Sequence, residues 1–291
     1  MSAMSDQIRT MFAEGDAKRD AGLKTPEDVV RYDDIRYGNV DEKLQMLDVY
    51  RPKGAAGKLP VIMSVHGGGW VYGDKEVYQF YCMSLAQRGF AVVNYSYRLA
   101  PEYKFPSSLE DTCSVAAWMM VNAETYGFDM EHVYGVGDSA GGHMLTIFAA
   151  ALTNPDYAQE LGVKLPTGFR FNAVALNCGA YKIDLTAQDM TTGLMGDFLP
   201  GKDLETEVKL INPVGWILED FPPAFVMTST NDFLKAQPSI LIPVLMDNDI
   251  PFVYRYYSDK NDPLGHVFHC NIRLSAAKLC NDEECEFFRK Y

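Results

Sequence analysis

The sequence predicts an α/β fold with a mostly parallel central sheet and helices on both of its faces. Short apolar segments alternate along the chain with longer helix-like segments, a pattern typical of parallel strands joined by helices. Two glycine-rich sequences, at residues 66–69 and 137–141, directly follow apolar segments. In open α/β sheets, ligands bind where the carboxyl ends of strands meet such turns. We therefore expect a functional site at that edge of the sheet.

The predicted sheet begins with an antiparallel hairpin of two strands, residues 30–37 and 43–50. The later strands are continuous apolar runs, as strands buried on both faces require, at residues 60–65, 90–95, 132–136, 171–177, 224–229 and 252–257. The helices are predicted at residues 77–88, 107–126, 140–152, 234–248 and 268–291. Pro238 and Pro243 predict a kink or a late start in the fourth of these helices.

Two segments lie outside this alternation and are predicted to form a small cap. Residues 181–221 are rich in glycine, aspartate, threonine and proline and are too long for an ordinary loop between strands. Residues 1–25 contain a helix-like stretch that leads to no strand. We expect both segments to cover the mouth of the sheet within a single domain of residues 1–291. Surface decoration that has no role in the site is the alternative.

The sequence Gly-Asp-Ser-Ala-Gly at residues 137–141 marks Ser139 as the candidate nucleophile. An apolar segment precedes it and a helix-like segment follows, which is the setting of a sharp strand-to-helix turn that exposes a serine hydroxyl. Small flanking residues let the backbone close at such a turn. The amide groups at the start of the following helix would face a developing oxyanion. A plain turn that carries no chemistry is the alternative.

A second motif, His66-Gly67-Gly68-Gly69-Trp70, ends the apolar run of residues 60–65. Consecutive glycines cost conformational entropy, and they are expected where main-chain N–H groups must approach a ligand closely. We interpret this loop as a source of oxyanion donors. A phosphate-binding loop is disfavoured because no Gly-Lys-Ser or Gly-Lys-Thr follows the glycines.

Elimination among the five histidines leaves two candidates for the general base. His66 belongs to the glycine loop, His132 opens a strand and His143 lies in the helix after the nucleophile. His266 follows the last strand in a loop at a carboxyl strand end, whereas His269 is expected in the next helix or at the surface. We therefore predict His266 as the base.

The acid that orients the imidazole is predicted to be Asp232, which follows the strand at residues 224–229. Its order in the chain, after the serine and before the histidine, is the order found in hydrolases with a serine elbow. Asp138 stands beside the nucleophile, where we expect it to bond the glycine loop instead. The other acidic candidates are expected to be solvated turn residues: Asp247, Asp249, Asp259 and Asp262.

Composition excludes several classes of protein. The net charge is −13, and no lysine or arginine cluster offers a surface for a nucleic acid backbone. Residues 1–20 are interrupted by charged side chains, without the apolar core of a signal peptide, and no apolar run is long enough to span a membrane. These features predict a soluble, cytoplasmic protein without a membrane span. Association into a homo-oligomer stays open.

The six cysteines show no C-x-x-C pair, and most lie in apolar or helix-like segments. We expect buried free thiols. Cys280 and Cys285 do not have a zinc-ligand spacing, and no histidine pair accompanies them. We therefore predict no metal and no other cofactor.

Together these motifs resemble those of the hormone-sensitive-lipase-like carboxylesterases of the α/β-hydrolase fold. Residues 66–69 are similar to that group's HGGG motif, residues 137–142 to its GDSAGG elbow, and residues 97–111 to its YRLAPE, FP and LED stretch. The resemblance covers about residues 45–270. It implies a triad of Ser139, Asp232 and His266. It also implies oxyanion donors from the N–H groups of Gly68, Gly69 and Ala140, with Gly67 shaping the turn and His66 opening the loop.

Two departures from the family pattern lie beside the triad. The acid usually stands in a D-P-L run, where this chain has Phe233 after the aspartate. The histidine usually precedes G-F, where this chain has Val267-Phe268. Neither change removes a triad side chain, but the adjoining pocket is expected to differ. Gly-Asp-Lys after Trp70, together with His143, also resembles bacterial acetyl and feruloyl esterases that act on plant polysaccharides.

The predicted function is that of a serine carboxylesterase that hydrolyses short- to medium-chain acyl esters through an acyl-enzyme. The expected partner is a small ester, possibly that of an acetylated or feruloylated carbohydrate. Two alternatives stay open. An aryl-formamidase or amidase would share the His-Gly-Gly-x-Trp sequence, and a binding protein could keep this fold without catalysis.

Overall fold

The computed structural model of the protein describes residues 2–187, 189–259 and 263–291. Within these residues one sheet holds eight strands, in the order β1-β2-β4-β3-β5-β6-β7-β8. The strands are β1 Val29–Arg36, β2 Met46–Pro52, β3 Leu59–Val65, β4 Ala91–Tyr95, β5 Phe128–Asp138, β6 Ala173–Asn177, β7 Ala224–Ser229 and β8 Phe252–Tyr257. β1 and β2 pair antiparallel with each other, β2 pairs antiparallel with β4, and the other neighbours are parallel.

The helices cover both faces of this sheet or lie over its edge. They are α1 Ala3–Asp20, α2 Lys75–Ala86, α3 Ser107–Tyr126, α4 Ala140–Thr153, α5 Pro155–Leu161, α6 Met190–Gly193, α7 Met195–Phe198, α8 Leu204–Leu210, α9 Pro238–Asp247 and α10 Ser275–Phe288, with 3-10 turns at Pro213–Gly215 and Phe268–Cys270. In the described part of the chain, none of them has the length and apolar character needed to cross a membrane.

The apolar strands are buried on both faces because alternate residues enter two separate cores. Val61, Met63 and Val65 of β3 belong to one hydrophobic cluster, whereas Ile62 between them belongs to the other. Side chains of a strand alternate between the two faces of its sheet, so a continuous apolar run fills both cores. The predicted α/β fold class and the N-terminal antiparallel hairpin are confirmed.

Several element boundaries differ from the sequence predictions. α9 starts only at Pro238, whose fixed φ suits the first turn of a helix but not its middle. The predicted helix at 268–291 is a 3-10 turn followed by α10, which begins at Ser275. The helix α5 was not predicted, because its short sequence shows no clear apolar period. The predicted buried state of the cysteines is confirmed, since all six are buried free thiols.

The two segments outside the alternation contact each other. The side chains of Ser2 and Ser5 at the start of α1 donate hydrogen bonds to Asp197 of α7, within the 181–221 segment. Arg9 of α1 bonds the carbonyls of Val71 and Ala100 and the carboxylate of Glu102. The start of α1 is therefore fixed to the 181–221 segment, and its middle is fixed to the loops at the carboxyl edge of the sheet.

A fully buried acid, Glu284 of α10, lies under the end of β6. Its carboxylate accepts hydrogen bonds from Asn177 Nδ2 at 2.6 Å and from the Tyr81 hydroxyl at 3.1 Å. Burial raises the pKa of Glu284 from 4.5 to about 7, although the two hydrogen bonds act in the opposite direction. A group whose pKa is raised by folding favours the folded state at low pH and loses that contribution as the pH rises through the two pKa values.

Glu284→Gln is expected to raise the thermal stability of the protein relative to wild type, and to raise it more at pH 8 than at pH 5. The charge that wild type must bury above pH 7 is absent from the variant. Rotation of the Asn177 side chain would offer its buried Oδ1, which has no partner among the described residues, to the new amide. Melting temperatures across this pH range test the expectation.

The matched control is Glu286→Gln, an exposed change on the same helix, which should leave the pH dependence unaltered. A difference between Glu284→Gln and wild type that is constant with pH, or that favours wild type at pH 8, contradicts the argument.

Candidate active site

Ser139 lies on the sharp turn between β5 and α4, with a strained left-handed φ of 53° and ψ of −120°. Its N–H donates to the carbonyl of Asn177 at the end of β6, at 3.0 Å. A Cβ on Gly137 would lie 2.6 Å from the Gly141 carbonyl oxygen, and one on Gly141 would lie 2.0 Å from the Val65 carbonyl oxygen. Glycine is therefore required at both positions, as the motif predicted.

The side chains of Ser139, His266 and Asp232 form one continuous hydrogen-bonded chain. His266 Nε2 lies 2.8 Å from Ser139 Oγ, and His266 Nδ1 lies 2.6 Å from Asp232 Oδ1. A carboxylate can only accept, so the proton on Nδ1 points to Asp232 and Nε2 is left to accept from the serine hydroxyl. This is the tautomer that a general base for Ser139 needs.

Asp232 is held in its ionised form despite its burial. Burial opposes the charge, but hydrogen bonds from His266, from Thr228 Oγ1 at 2.6 Å and from Leu234 N at 2.8 Å outweigh it and lower the pKa of Asp232. Neither Asp247 nor Asp249 hydrogen-bonds to His266 in the described part of the chain, and Asp262 lies outside it. The fold therefore brings Asp232, which follows the end of β7, into contact with the imidazole of His266.

The loop that carries His266 is attached to the end of β7. Asn231 N donates to the Leu264 carbonyl at 2.9 Å, and Ser229 Oγ bonds the carbonyls of Leu264 and Gly265 at 3.0 and 2.9 Å. Asp232 and His266 are thus fixed to the same strand end.

The glycine loop folds back on itself beside the serine. The N–H groups of Val71 and Tyr72 donate to the Gly68 carbonyl at 3.2 and 3.0 Å. Gly68 and Gly69 have φ values of 118° and 61°, and a Cβ on Gly68 would lie 2.0 Å from the Tyr72 carbonyl oxygen. The N–H groups of Gly68, Gly69 and Ala140 have no acceptor among the described residues, so all three are available to a ligand.

Tyr78 and Asp138 hold the start of this loop. Gly67 N donates to the Tyr78 hydroxyl at 3.0 Å, which in turn donates to Asp138 Oδ2 at 2.7 Å. Burial raises the pKa of Asp138 to about 7, against the effect of the Tyr78 hydrogen bond. Asp138 therefore bonds the loop through a tyrosine. The sequence offered no signal for Tyr78, because its contact with the loop depends on how α2 packs.

His66 and His143 support the loop from inside the protein. His66 stacks on Tyr97 with ring centroids 4.0 Å apart, and burial lowers its pKa to about 4. His143 accepts a hydrogen bond from Trp70 Nε1 at 3.2 Å and donates one to the Ile211 carbonyl at 2.6 Å; burial lowers its pKa to about 4 as well. Both imidazoles are neutral at pH 7, and neither ring hydrogen-bonds to Ser139 in the described part of the chain.

The expected position of His269, at the surface or in the C-terminal helix, is wrong. His269 is fully buried in the 3-10 turn after His266, where burial lowers its pKa to about 3. A ring nitrogen of His269, a carboxylate oxygen of Asp138 and Cys270 Sγ could together offer three ligand atoms, as could Cys178 with Asp232 and His266. Burial raises the thiol pKa of Cys178 and Cys270 well above the ordinary value, which opposes the thiolate that a metal would need.

Two cavities meet at Ser139. The small cavity, of about 20 Å³, is apolar and is lined by residues that include Ile8, Gly69, Trp70, Ala140 and Leu194. The large cavity, of about 220 Å³, is lined by residues that include Phe12, Asp16, Arg19, Tyr72 and His266. Helix α1 contributes to both cavities. The sequence predicted that residues 1–25 cover the mouth of the sheet, but it assigned no role to the individual residues of α1.

Both departures from the family pattern lie against the triad histidine. The Phe233 ring lies over the His266 imidazole, with centroids 4.1 Å apart. Val267 has a left-handed φ of 51°, a conformation that a β-branched residue rarely adopts. The glycine expected by the family pattern would take this conformation without strain, so this chain carries backbone strain directly after its histidine.

Val267→Gly is expected to be more stable than Val267→Ala, by about 1 kcal/mol, because only glycine relieves the left-handed strain. Both variants lose the packing of the valine side chain, so their comparison isolates the backbone. Elsewhere in a chain, glycine is ordinarily the less stable of the two. Chemical denaturation of both variants provides the measurement. An alanine variant that equals or exceeds the glycine variant in stability would show that position 267 is not strained.

This chain matches one protein family model and superimposes on a solved esterase structure. The family model of BD-FAE matches residues 47–239. A structure of esterase B from Lactobacillus rhamnosis inhibited by a tributyrin phosphonate superimposes with a TM-score of 0.88 at 29% identity, covering 99% of this chain and 95% of that chain.

Two curated sequences are also similar. Versiconal hemiacetal acetate esterase of Dothistroma septosporum is 27% identical over 271 residues, which are 87% of this chain and 79% of that protein. Carboxylesterase NlhH of Mycobacterium tuberculosis is 29% identical over 197 residues, which are 64% of this chain and 60% of that protein.

Proposed function

We propose, from the premise that this chain belongs to the BD-FAE family of α/β-hydrolase esterases, that Ser139, His266 and Asp232 carry out its hydrolysis of carboxylic esters. The protein is a serine carboxylesterase of the hormone-sensitive-lipase-like type, and the relatives and the solved structure that it resembles are named as esterases or a carboxylesterase. The observation that carries the assignment of residues is the continuous Ser139–His266–Asp232 hydrogen-bonded chain, which opens on two cavities.

In the proposed mechanism, Ser139 Oγ attacks the ester carbonyl while its proton moves to His266 Nε2. Asp232 keeps the imidazole in the required tautomer and stabilises the imidazolium that forms. His266 then gives the proton to the leaving alkoxide, and an acyl-enzyme remains on Ser139. Water attacks the acyl group by the same route and releases the acid. The chemistry of these steps requires no cofactor.

The oxyanion of each tetrahedral intermediate is proposed to accept hydrogen bonds from the N–H groups of Gly68, Gly69 and Ala140. These donors are held in place before substrate binds, so they need little reorganisation during the reaction. Ala140 is the first residue of α4, and the positive end of the helix dipole adds to the same effect. Tyr78 and Asp138 are positioning residues for the glycine loop.

The acyl group is proposed to enter the small apolar cavity next to the oxyanion donors. This cavity is narrow, and its lining includes the buried Leu194, whose Cδ1 would lie 2.9 Å from a Cβ on Gly69. The small volume supports short acyl chains. α1, which lines both cavities, and the 181–221 segment, which lines the small one, are proposed to act as the cap.

Ser139→Ala is expected to lower kcat for 4-nitrophenyl acetate by a factor on the order of 10⁶, since it removes the nucleophile. Asp232→Asn is expected to lower kcat by a factor of about 10⁴, because an asparagine favours the wrong imidazole tautomer. The matched control is Asp247→Asn, an exposed change at the end of α9, which should keep the wild-type rate. The test is the steady-state kcat of the three folded variants for 4-nitrophenyl acetate. A serine variant that retains a tenth of the wild-type kcat, or an Asp232 variant as active as the control, would overturn the assigned roles.

A further inference from the structure

Both nitrogens of the His266 imidazole are engaged in the triad. Nε2 lies 2.8 Å from Ser139 Oγ, and Nδ1 lies 2.6 Å from Asp232 Oδ1. When the imidazole takes the serine proton it becomes a cation, and both nitrogens then act as hydrogen-bond donors. A further group that stabilises this cation without competing for its two protons therefore has to act through a face of the ring.

The side chain of Phe233 covers one face of this imidazole. The two ring centroids are 4.1 Å apart, and the ring planes are inclined by 42°. The face of an aromatic ring carries negative charge density and attracts a cation that lies within about 6 Å of the ring centroid. An imidazolium at His266 lies within that range.

The turn that holds the acid also holds the phenyl ring. Asp232 N donates to the Ser229 carbonyl at 3.2 Å, and Lys235 N donates to the Asp232 carbonyl at 3.2 Å. Leu234 N donates to Asp232 Oδ1 at 2.8 Å. Phe233 lies between these anchored residues. One short turn thus places a carboxylate at the edge of the imidazole and an aromatic ring over its face.

The phenyl ring of Phe233 is not a core side chain. It is 52% exposed and belongs to neither of the two hydrophobic clusters that the described residues form. It lines both cavities beside Ser139. Replacing this ring therefore costs little packing in the core, and a change in activity can be separated from a change in folding.

An aromatic ring differs from a second carboxylate in what it does to the proton on Nε2. A carboxylate beside Nε2 would accept a hydrogen bond from the imidazolium and compete with the leaving alkoxide for the proton. A phenyl face attracts the charge of the cation and leaves the Nε2–H free to point at the alkoxide. Phe233 therefore adds to the effect of Asp232 without opposing proton transfer.

We propose that Phe233 stabilises the imidazolium of His266, through the face of its ring, each time the imidazolium forms during the reaction. The inference rests on the proposed function, since this cation forms only if His266 is the general base. Phe233 acts through His266 and is a positioning residue. Because the imidazolium forms in both acylation and deacylation, the contact increases kcat and kcat/KM by the same factor and leaves KM unchanged.

The test varies the electron density of the ring at nearly constant shape. Phe233→Tyr and the replacement of Phe233 by 4-cyanophenylalanine both add a small group at the para position, but only the cyano group withdraws electrons from the ring face. The cyano variant is expected to have a kcat roughly two- to fivefold below that of Phe233→Tyr, the range of a partly exposed cation–π contact. Phe233→Leu, which has no aromatic face, should fall at least as far.

The rates are measured with 4-nitrophenyl acetate and with propyl acetate. The two esters form the same acyl-enzyme and require the same imidazolium, so the fall in kcat/KM should be equal for both and KM should not change. Melting temperatures of the variants serve as the control for folding. Equal activity of the tyrosine and cyano variants would show that the ring acts by shape alone. An effect on KM for one ester only would show that Phe233 is merely a wall of the cavity. Either result overturns the proposal.

The wild-type enzyme separates this inference from the proposed function. A wild type that hydrolyses both esters, loses this activity on Ser139→Ala and shows no dependence on the ring at position 233 contradicts only the inference. A folded wild type that hydrolyses neither ester, or a Ser139→Ala variant that remains active, contradicts the proposed function itself.

Discussion

The close approach of the Ser139 turn to the end of β3 is the constraint on which the site depends. Val65 and Gly137 are paired across β3 and β5, and the backbone of Gly141 passes so near the Val65 carbonyl that no side chain fits between them. The glycine loop leaves β3 at this contact. The position of the serine and the position of the oxyanion donors are therefore set by one packed junction of two neighbouring strands.

The rest of the site follows from the parallel order of the sheet. β5, β6, β7 and β8 present their carboxyl ends at one edge, so the loops after β5, β7 and β8 bring together the serine, the acid and the histidine. Hydrogen bonds between Ser229, Asn231 and the loop before His266 hold the last two groups as one unit. Ser139 and Val267, on two of these loops, have positive φ values of 53° and 51°, and such strain persists only where the surrounding structure holds the backbone in place.

Much of this arrangement could be predicted from the sequence because its signals are local. Continuous apolar runs predicted the parallel strands, and β7 and β8 were predicted with their observed bounds. Ser139, Asp232 and His266 each follow the carboxyl end of a predicted strand, in that order along the chain. The burial of His269, the support of Gly67 by Tyr78 and the identity of the α1 side chains beside Ser139 depend instead on contacts between residues far apart in the chain, for which the sequence has no local signal.

The most direct test of the account is covalent labelling of the protein with a 4-nitrophenyl alkylphosphonate, followed by intact mass measurement and peptide mapping. Such a phosphonate forms a tetrahedral adduct with an activated serine that mimics the intermediate of ester hydrolysis. The account predicts one adduct per chain, on Ser139, and none when Ser139 is replaced by alanine. A folded protein that forms no adduct, or that forms it on another residue, would contradict the claim that Ser139, His266 and Asp232 act as one catalytic unit.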